Sequence, residues 1–182
     1  MDQNRFGNIM AKFWQISFQI HMNWMADANQ RLEFLAAQAA SAKESIALVS
    51  PEMPLRANLS VLDNIALIPQ YRANLTYDKA ADLAWDLLAA AGYQDSFAKR
   101  DPDLSHAERF VAKLLRAAIG APPIILIDRP AMLLPDTHYP PFLRALLKNL
   151  VNYLNDCRII DYQWNKPLYD VEFAQAELIQ PH

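Results

Sequence analysis

The sequence predicts an α/β protein, on three observations. Short apolar runs alternate with amphipathic helical stretches along the chain. One run, Ile124 to Ile127, is apolar at every position, as a parallel strand covered on both faces requires. Glycine and proline fall between the periodic stretches rather than inside most of them, so they read as punctuation.

Taken in order, Trp14 to Trp24 alternates with a period of two. Ile16, Phe18, Ile20, Met22 and Trp24 share one face and Gln15, Ser17, Gln19, His21 and Asn23 the other, the pattern of a half-buried strand. Asp27 to Ala42 is rich in Ala, Gln, Leu and Glu, free of Gly and Pro, and predicts a helix. Ser45 to Val49 predicts a short buried strand, ended by Ser50-Pro51. Ser60 to Ile68 predicts a helix capped by Ser60 with Asp63 three residues on. Asp78 to Ala91 carries Leu83, Leu87, Leu88 and Ala91 on one face, and Gly92 stops it. Ser105 to Ile119 places Phe110, Val111, Leu114, Leu115 and Ala118 at helical spacing, with Gly120 as its expected stop. Pro141 to Leu154 predicts a helix with a proline in its first turn, and Arg158 to Ile160 a further short strand. The stretch from Tyr162 to Tyr169 is left unassigned.

The chain has 182 residues, enough for one domain with a real core. Apolar residues make up 53% and charged residues 20%, which excludes wholesale disorder. The net charge of -3 argues against nucleic acid as the main partner. A single cysteine, Cys157, allows no internal disulfide and fits a reducing compartment. No run reaches the roughly 18 to 20 apolar residues that span a bilayer, and no early apolar signal run is present, so a cytoplasmic location is expected. Only three glycines occur, Gly7, Gly92 and Gly120, and neither GxxxxGK(S/T) nor GxGxxG is found. Backbone amides that cradle phosphate need glycines at fixed spacing.

Four stretches in order carry a family resemblance. Leu104-Ser105-His106-Ala107-Glu108-Arg109 opens a long helix, and Pro123 to Pro130 follows about twenty residues after its start, ending Ile127-Asp128-Arg129-Pro130. Leu59 to Leu67 and the helix Ala80 to Ala91 with Gly92-Tyr93 precede them. Together they resemble the ABC-type ATPases: the LSGGE signature helix, the Walker B strand ending DEP, the "LTVLENVAL" opening of the helical subdomain and the "LLELVGL" before the signature. The resemblance covers about Ser45 to Asp161. It implies a truncated P-loop-NTPase-like sheet with flanking helices and a helical subdomain. It also implies one degenerate domain over residues 1–182, with a replaced front strand and helix in 1–44. The helical subdomain would fall in 56–103, and the signature helix, Walker B-like strand and C-terminal part in 104–182.

The departures from the family concern chemistry. No phosphate loop precedes the helix at Asp27. The glutamine of the Q-loop falls near Ser50 or Pro51, the water-polarising glutamate of Walker B is Arg129, the D-loop aspartate is Pro135 with Asp136 beside it, and the switch histidine is Asp161. Phosphoryl transfer rests on positioning and on neutralising phosphate and metal charge. The resemblance therefore implies an inactive ATPase-like subunit, with no cofactor expected. It would be a scaffold or regulatory partner pairing with another ABC-type ATPase subunit, a membrane permease or its own copy.

Several residues carry two readings. Ser105, His106 and Ala107 fit a weak nucleotide contact exercised on a partner's ATP, or a plain capping box between Ser105 and Glu108. Asp128 fits weak metal binding, or a salt bridge at a strand end. Met53, Leu55 and Tyr71 lie where the family receives a permease helix, or form a packed loop. In the competing account the chain binds or hydrolyses ATP with Mg²⁺ in an asymmetric dimer with an intact partner. A third account is an unrelated α/β binding protein.

Overall fold

The computed structural model describes residues 19–42 and 46–173. Residues 14–18 of the expected first strand and Ser45 of the second lie outside them. Four parallel strands form one sheet: β1 (Gln19–Met25), β2 (Ile46–Val49), β3 (Ile124–Asp128) and β4 (Asp156–Tyr162). Their spatial order is β1-β4-β3-β2. The α/β class with a parallel sheet is thus observed, and the continuous apolar run of β3 sits in the interior of the sheet as its composition requires.

Strand alternation divides the side chains between two faces. Ile125, Ile127, Cys157 and Ile159 point to one face and are buried with Phe110, Leu114, Leu115, Leu143 and Leu147 from the helices that cover it. Ile20, Met22 and Trp24 of β1 pack on this same face, as their period of two predicts. Met25, Leu126 and Ile160 point to the other face, against Phe34 and Leu35 of α1 (Ala28–Ala42). The chain thus leaves β1 at one edge, crosses a face as α1 and enters β2 at the other edge. As an edge strand, β2 is fully buried only at Val49, less than its apolar composition suggested.

The larger core lies under α2 (Val61–Ala73), α3 (Tyr77–Ala91), α4 (His106–Ala118), α5 (Pro130–Leu133) and α6 (Tyr139–Asn149). Each fully buried Leu or Phe there contributes on the order of 1.5–3 kcal/mol of hydrophobic stabilisation before ordering costs. Ser60 caps α2: its hydroxyl accepts from the Asp63 N–H, and the Asp63 carboxylate accepts from the Ser60 N–H. The helix then continues past Ile68 through the buried Pro69 and ends at Asn74, whose φ of 51° is tolerated by Asn. Gly92 closes α3 with φ 77°, where it is needed.

Gly120 does not play the expected part at the end of α4. The left-handed residue there is Ala121, with φ 46°. A Cβ at Gly120 would meet Ile68 Cγ2 at 3.4 Å and the Arg72 guanidinium at 3.6 Å, ordinary contact distances. The expected helix from Pro141 begins two residues earlier and gives way after Asn149 to a single 3-10 turn, Val151–Tyr153. β4 extends the expected Arg158–Ile160 on both sides. The unassigned stretch from Tyr162 to Tyr169 holds the end of β4, a 3-10 turn at Gln163–Asn165 and the start of α7 (Lys166–Phe173), which is seated by the buried Tyr169. Among the described residues no helix is long and apolar enough to cross a membrane.

Candidate functional site at the carboxyl ends of the strands

In open parallel sheets, ligands meet the carboxyl ends of the strands. Here β3 ends at Asp128 and Ser50 follows the last residue of β2, both buried and both directed by strand parity to the α1 face. Arg31, on the second turn of α1, reaches the same point. Its Nε donates to Asp128 Oδ1 at 2.8 Å and its terminal nitrogen to Oδ2 at 3.0 Å. Planar guanidinium and carboxylate match in this two-pronged form, which is among the stronger charge-assisted contacts. The Asp128 hydrogen bond holds the guanidinium pKa above its ordinary value, against desolvation.

Ser50, Glu52, Arg129 and Lys113 complete the cluster. Ser50 Oγ donates to the Glu52 carboxylate and lies 3.3 Å from Asp128 Oδ2. Arg129 Nε donates to Asp128 Oδ2 at 3.2 Å, while its terminal nitrogen pairs with Glu52. Lys113 of α4, buried, donates to the Ser50 carbonyl at 3.1 Å, and its burial lowers its pKa. Desolvation pulls the Glu52 carboxyl upward, but hydrogen bonds from Ser50 and Arg129 outweigh it and hold the group at about 2. The two guanidinia, Arg31 and Arg129, are matched by the two carboxylates, Asp128 and Glu52, with the Lys113 ammonium set back on the Ser50 carbonyl.

Arg129 has φ 49°, a left-handed conformation that a bulky residue rarely adopts. Its own N–H is satisfied by the Ile160 carbonyl at 2.8 Å. The backbone strain thus sits at the residue that bridges Asp128 and Glu52. The first turn of α1 is closed by side chains: Asp27 Oδ1 accepts from the Gln30 N–H at 2.9 Å, and Gln30 Oε1 from the Ala26 N–H at 2.6 Å. A carboxylate therefore stands where a helix N-terminus would otherwise attract an anion.

Both acceptor oxygens of Asp128 are engaged by guanidinium donors. A divalent cation there would have to displace Arg31 or Arg129 and bear their charge. The donor set suits an ion pair and does not suit Mg²⁺-bound triphosphate.

Asp161, the expected switch position, is directed to the opposite face of the sheet. Its Oδ2 accepts from the Tyr169 hydroxyl at 2.9 Å and the Tyr139 hydroxyl at 3.5 Å. Its Oδ1 accepts from the Tyr162 N–H and the Asn165 amide at 2.8 and 2.9 Å. Burial drives the Tyr139 phenol up to about 12 and the Tyr169 phenol higher still. Trp24 packs edge-on against Tyr169 with ring centroids 5.3 Å apart.

At the start of α4, Ser105 Oγ accepts from the Glu108 N–H at 3.2 Å and Glu108 Oε2 from the Ser105 N–H at 2.9 Å, a reciprocal capping box. Glu108 also pairs with Lys99 at 2.6 Å. His106 Nδ1 lies 3.0 Å from Asp136, whose carboxyl it holds below the ordinary value, and Pro135 beside it is exposed. Ala107 packs partly against the main core. Of the three expected docking residues, Met53 and Tyr71 are exposed, at 46% and 83%, but Leu55 is buried and belongs to the core rather than to any surface. The Arg116 guanidinium holds this loop through the carbonyls of Pro54 and Met53 at 2.8 and 3.1 Å.

The structure thus gathers Ser50, Asp128 and Arg129 at one point and sends Asp161 to the other face. Sequence reasoning missed Arg31, Glu52 and Lys113. Arg31 left a signal, as the only basic residue within α1.

No family model matches the sequence, and no curated protein matches it. Among solved structures the fold is similar to the ATP-binding cassette MJ0796, described as a dimeric post-hydrolysis state bound to ADP and Pi. The TM-score is 0.58 at 18% identity, over 81% of this chain and 75% of that one. The fold is thus similar to that of an ATP-binding cassette domain, with an ion cluster built on the buried Asp128 at the carboxyl ends of β2 and β3.

Proposed function

We propose that this chain is a catalytically inactive ABC ATPase-like subunit, a scaffold or regulatory partner in an ABC-type transport complex, without ATP hydrolysis of its own. The observation that carries this reading is the Arg31–Asp128 pair. In the fold to which this chain is similar, nucleotide chemistry belongs at the carboxyl ends of the parallel strands. Here that place is filled from within by a guanidinium, and Arg129 puts a cation where a water-polarising carboxylate would act. The absence of a glycine-rich phosphate loop in the sequence supports the same reading. On this proposal residues 1–182 are one degenerate domain, in which 56–103 serve as the helical subdomain and 104–182 as the signature and Walker B-like part. The chain works in the cytoplasm beside a permease or a second ATPase subunit. Met53 and Tyr71 supply apolar docking surface.

A phosphate-release assay on the isolated chain with ATP and Mg²⁺ tests it. Release is expected at background and unchanged by Asp128→Asn. Magnesium-dependent turnover that Asp128→Asn abolishes overturns the proposal.

A second reading gives the start of α4 a contact with ATP held by an intact partner. The exposed Ser105 hydroxyl favours it. The Asp136 and Glu108 carboxylates beside it oppose a phosphate there. Partner turnover that falls with Ser105→Arg in this chain would select this second reading, and unchanged turnover would reject it.

A further inference from the structure

Glu52 is the unusual member of the ion cluster. Its side chain is 59% exposed, while Asp128 beneath it is fully buried and Arg31 is 8% exposed. It sits on the turn closed by the Met53 N–H to the Ser50 carbonyl at 3.1 Å, so it can swing outward without moving a strand. Its carboxylate gathers donors from three separate elements: a terminal nitrogen of Arg31, a terminal nitrogen of Arg129, and the Ser50 hydroxyl. Two guanidinia and a hydroxyl converging on one oxyanion is the arrangement by which proteins hold phosphate. Without Glu52, Arg31 and Arg129 would face Asp128 alone, which leaves one excess positive charge at the point where the two guanidinia meet. That excess favours an anion over a neutral ligand.

We propose that Arg31, Arg129 and Ser50 form a binding site for a small free oxyanion of phosphate type, which Glu52 occupies from within the chain and vacates when such an anion competes. Arg31 stays fixed by Asp128 whichever occupant is present, so the site is preorganised. The left-handed backbone of Arg129 directs its guanidinium over the same point. A free oxyanion is favoured over the phosphoryl end of a nucleotide. The Asp27 carboxylate closes the first turn of α1, and no glycine loop is present to line a polyphosphate. The inference goes beyond the subunit role above and stands independently of the partner.

Titration calorimetry of sodium phosphate into the full chain tests it, for the wild type, Glu52→Gln, and Glu52→Gln with Arg129→Gln. Phosphate is expected to bind Glu52→Gln at least about tenfold more tightly than the wild type, since the built-in competitor loses its charge. Adding Arg129→Gln should abolish that gain. Equal affinity in wild type and Glu52→Gln, or a gain that survives Arg129→Gln, overturns the proposal. ATP without magnesium forms a separate arm: tighter binding of ATP than of phosphate to Glu52→Gln assigns the site to nucleotide and overturns the free-oxyanion assignment. If Glu52→Gln does not fold, the wild type decides by ¹⁵N–¹H spectra of the arginine side chains at rising phosphate. A saturable shift of Arg129 Nε–H supports the site, and no shift overturns it. These outcomes are separate from Mg²⁺-ATP turnover, so failure here leaves the subunit reading untouched.

Discussion

Arg31 and Asp128 are separated by 97 positions in the chain and meet as a two-pronged ion pair at 2.8 and 3.0 Å, with the aspartate fully buried. The pair pins α1 to the carboxyl end of β3. Removing Arg31 leaves the buried Asp128 carboxylate with the longer 3.2 Å contact from Arg129 and an oxygen, Oδ1, that has lost its donor. Arg31→Met is expected to cost about 3–5 kcal/mol, whereas Arg31→Met combined with Asp128→Leu recovers most of the loss. Urea unfolding of the two singles and the double, read as a double-mutant cycle, checks this. Additive losses would show that the pair is not coupled.

Glu52 gives the fold an acid-sensitive contribution with a defined sign. Its carboxyl lies at about 2 in the folded protein against an ordinary value of 4.5. A group depressed on folding stabilises above its unfolded value, and that contribution fades as pH falls from 4.5 toward about 2. Because the side chain is 59% exposed, solvent screening keeps the contribution small. Wild type and Glu52→Gln should therefore differ most in Tm near neutrality and converge toward pH 2. A gap that persists unchanged at low pH would place the effect elsewhere.

At Arg129 two effects oppose each other. The left-handed backbone at φ 49° costs roughly 1–2 kcal/mol for a residue with a Cβ, and only glycine escapes that cost. Arg129→Ala loses the ion pairs and keeps the strain; Arg129→Gly loses the ion pairs and the strain. Arg129→Gly is expected to be the more stable of the two by about 1 kcal/mol, measured by chemical denaturation. The reverse order would show that the backbone there relaxes.

The start of α7 is tied to the sheet through Asp161. Tyr169→Phe deletes the 2.9 Å bond and leaves Asp161 Oδ2 with only the 3.5 Å contact from Tyr139. A cost of about 1–3 kcal/mol is expected, with faster amide exchange along Lys166–Phe173. Loss of stability without faster exchange in that helix would locate the anchor elsewhere.

The elements most legible in the sequence are those where local signals agree. Ser60 with Asp63, Ser105 with Glu108, and Gly92 marked helix ends because cap chemistry is local. The apolar run of β3 marked the sheet interior. What escaped was tertiary. Gly120 read as a helix stop, yet the left-handed residue after α4 is Ala121, which no local pattern announces. Leu55 lay in a stretch read as docking surface but is buried in the core. At the site, Asp128 and Arg129 were visible as a strand-end pair. Arg31 and Glu52 join them across long stretches of chain, and sequence spacing carries no record of such contacts.

The central claim is that a built-in guanidinium takes the place of nucleotide and metal at Asp128. Calorimetric titration of the isolated chain with ATP and Mg²⁺ tests it most directly. The account predicts no binding tighter than about 10 μM, a threshold near 7 kcal/mol of binding free energy. Tighter, magnesium-dependent binding that Asp128→Asn removes would contradict it.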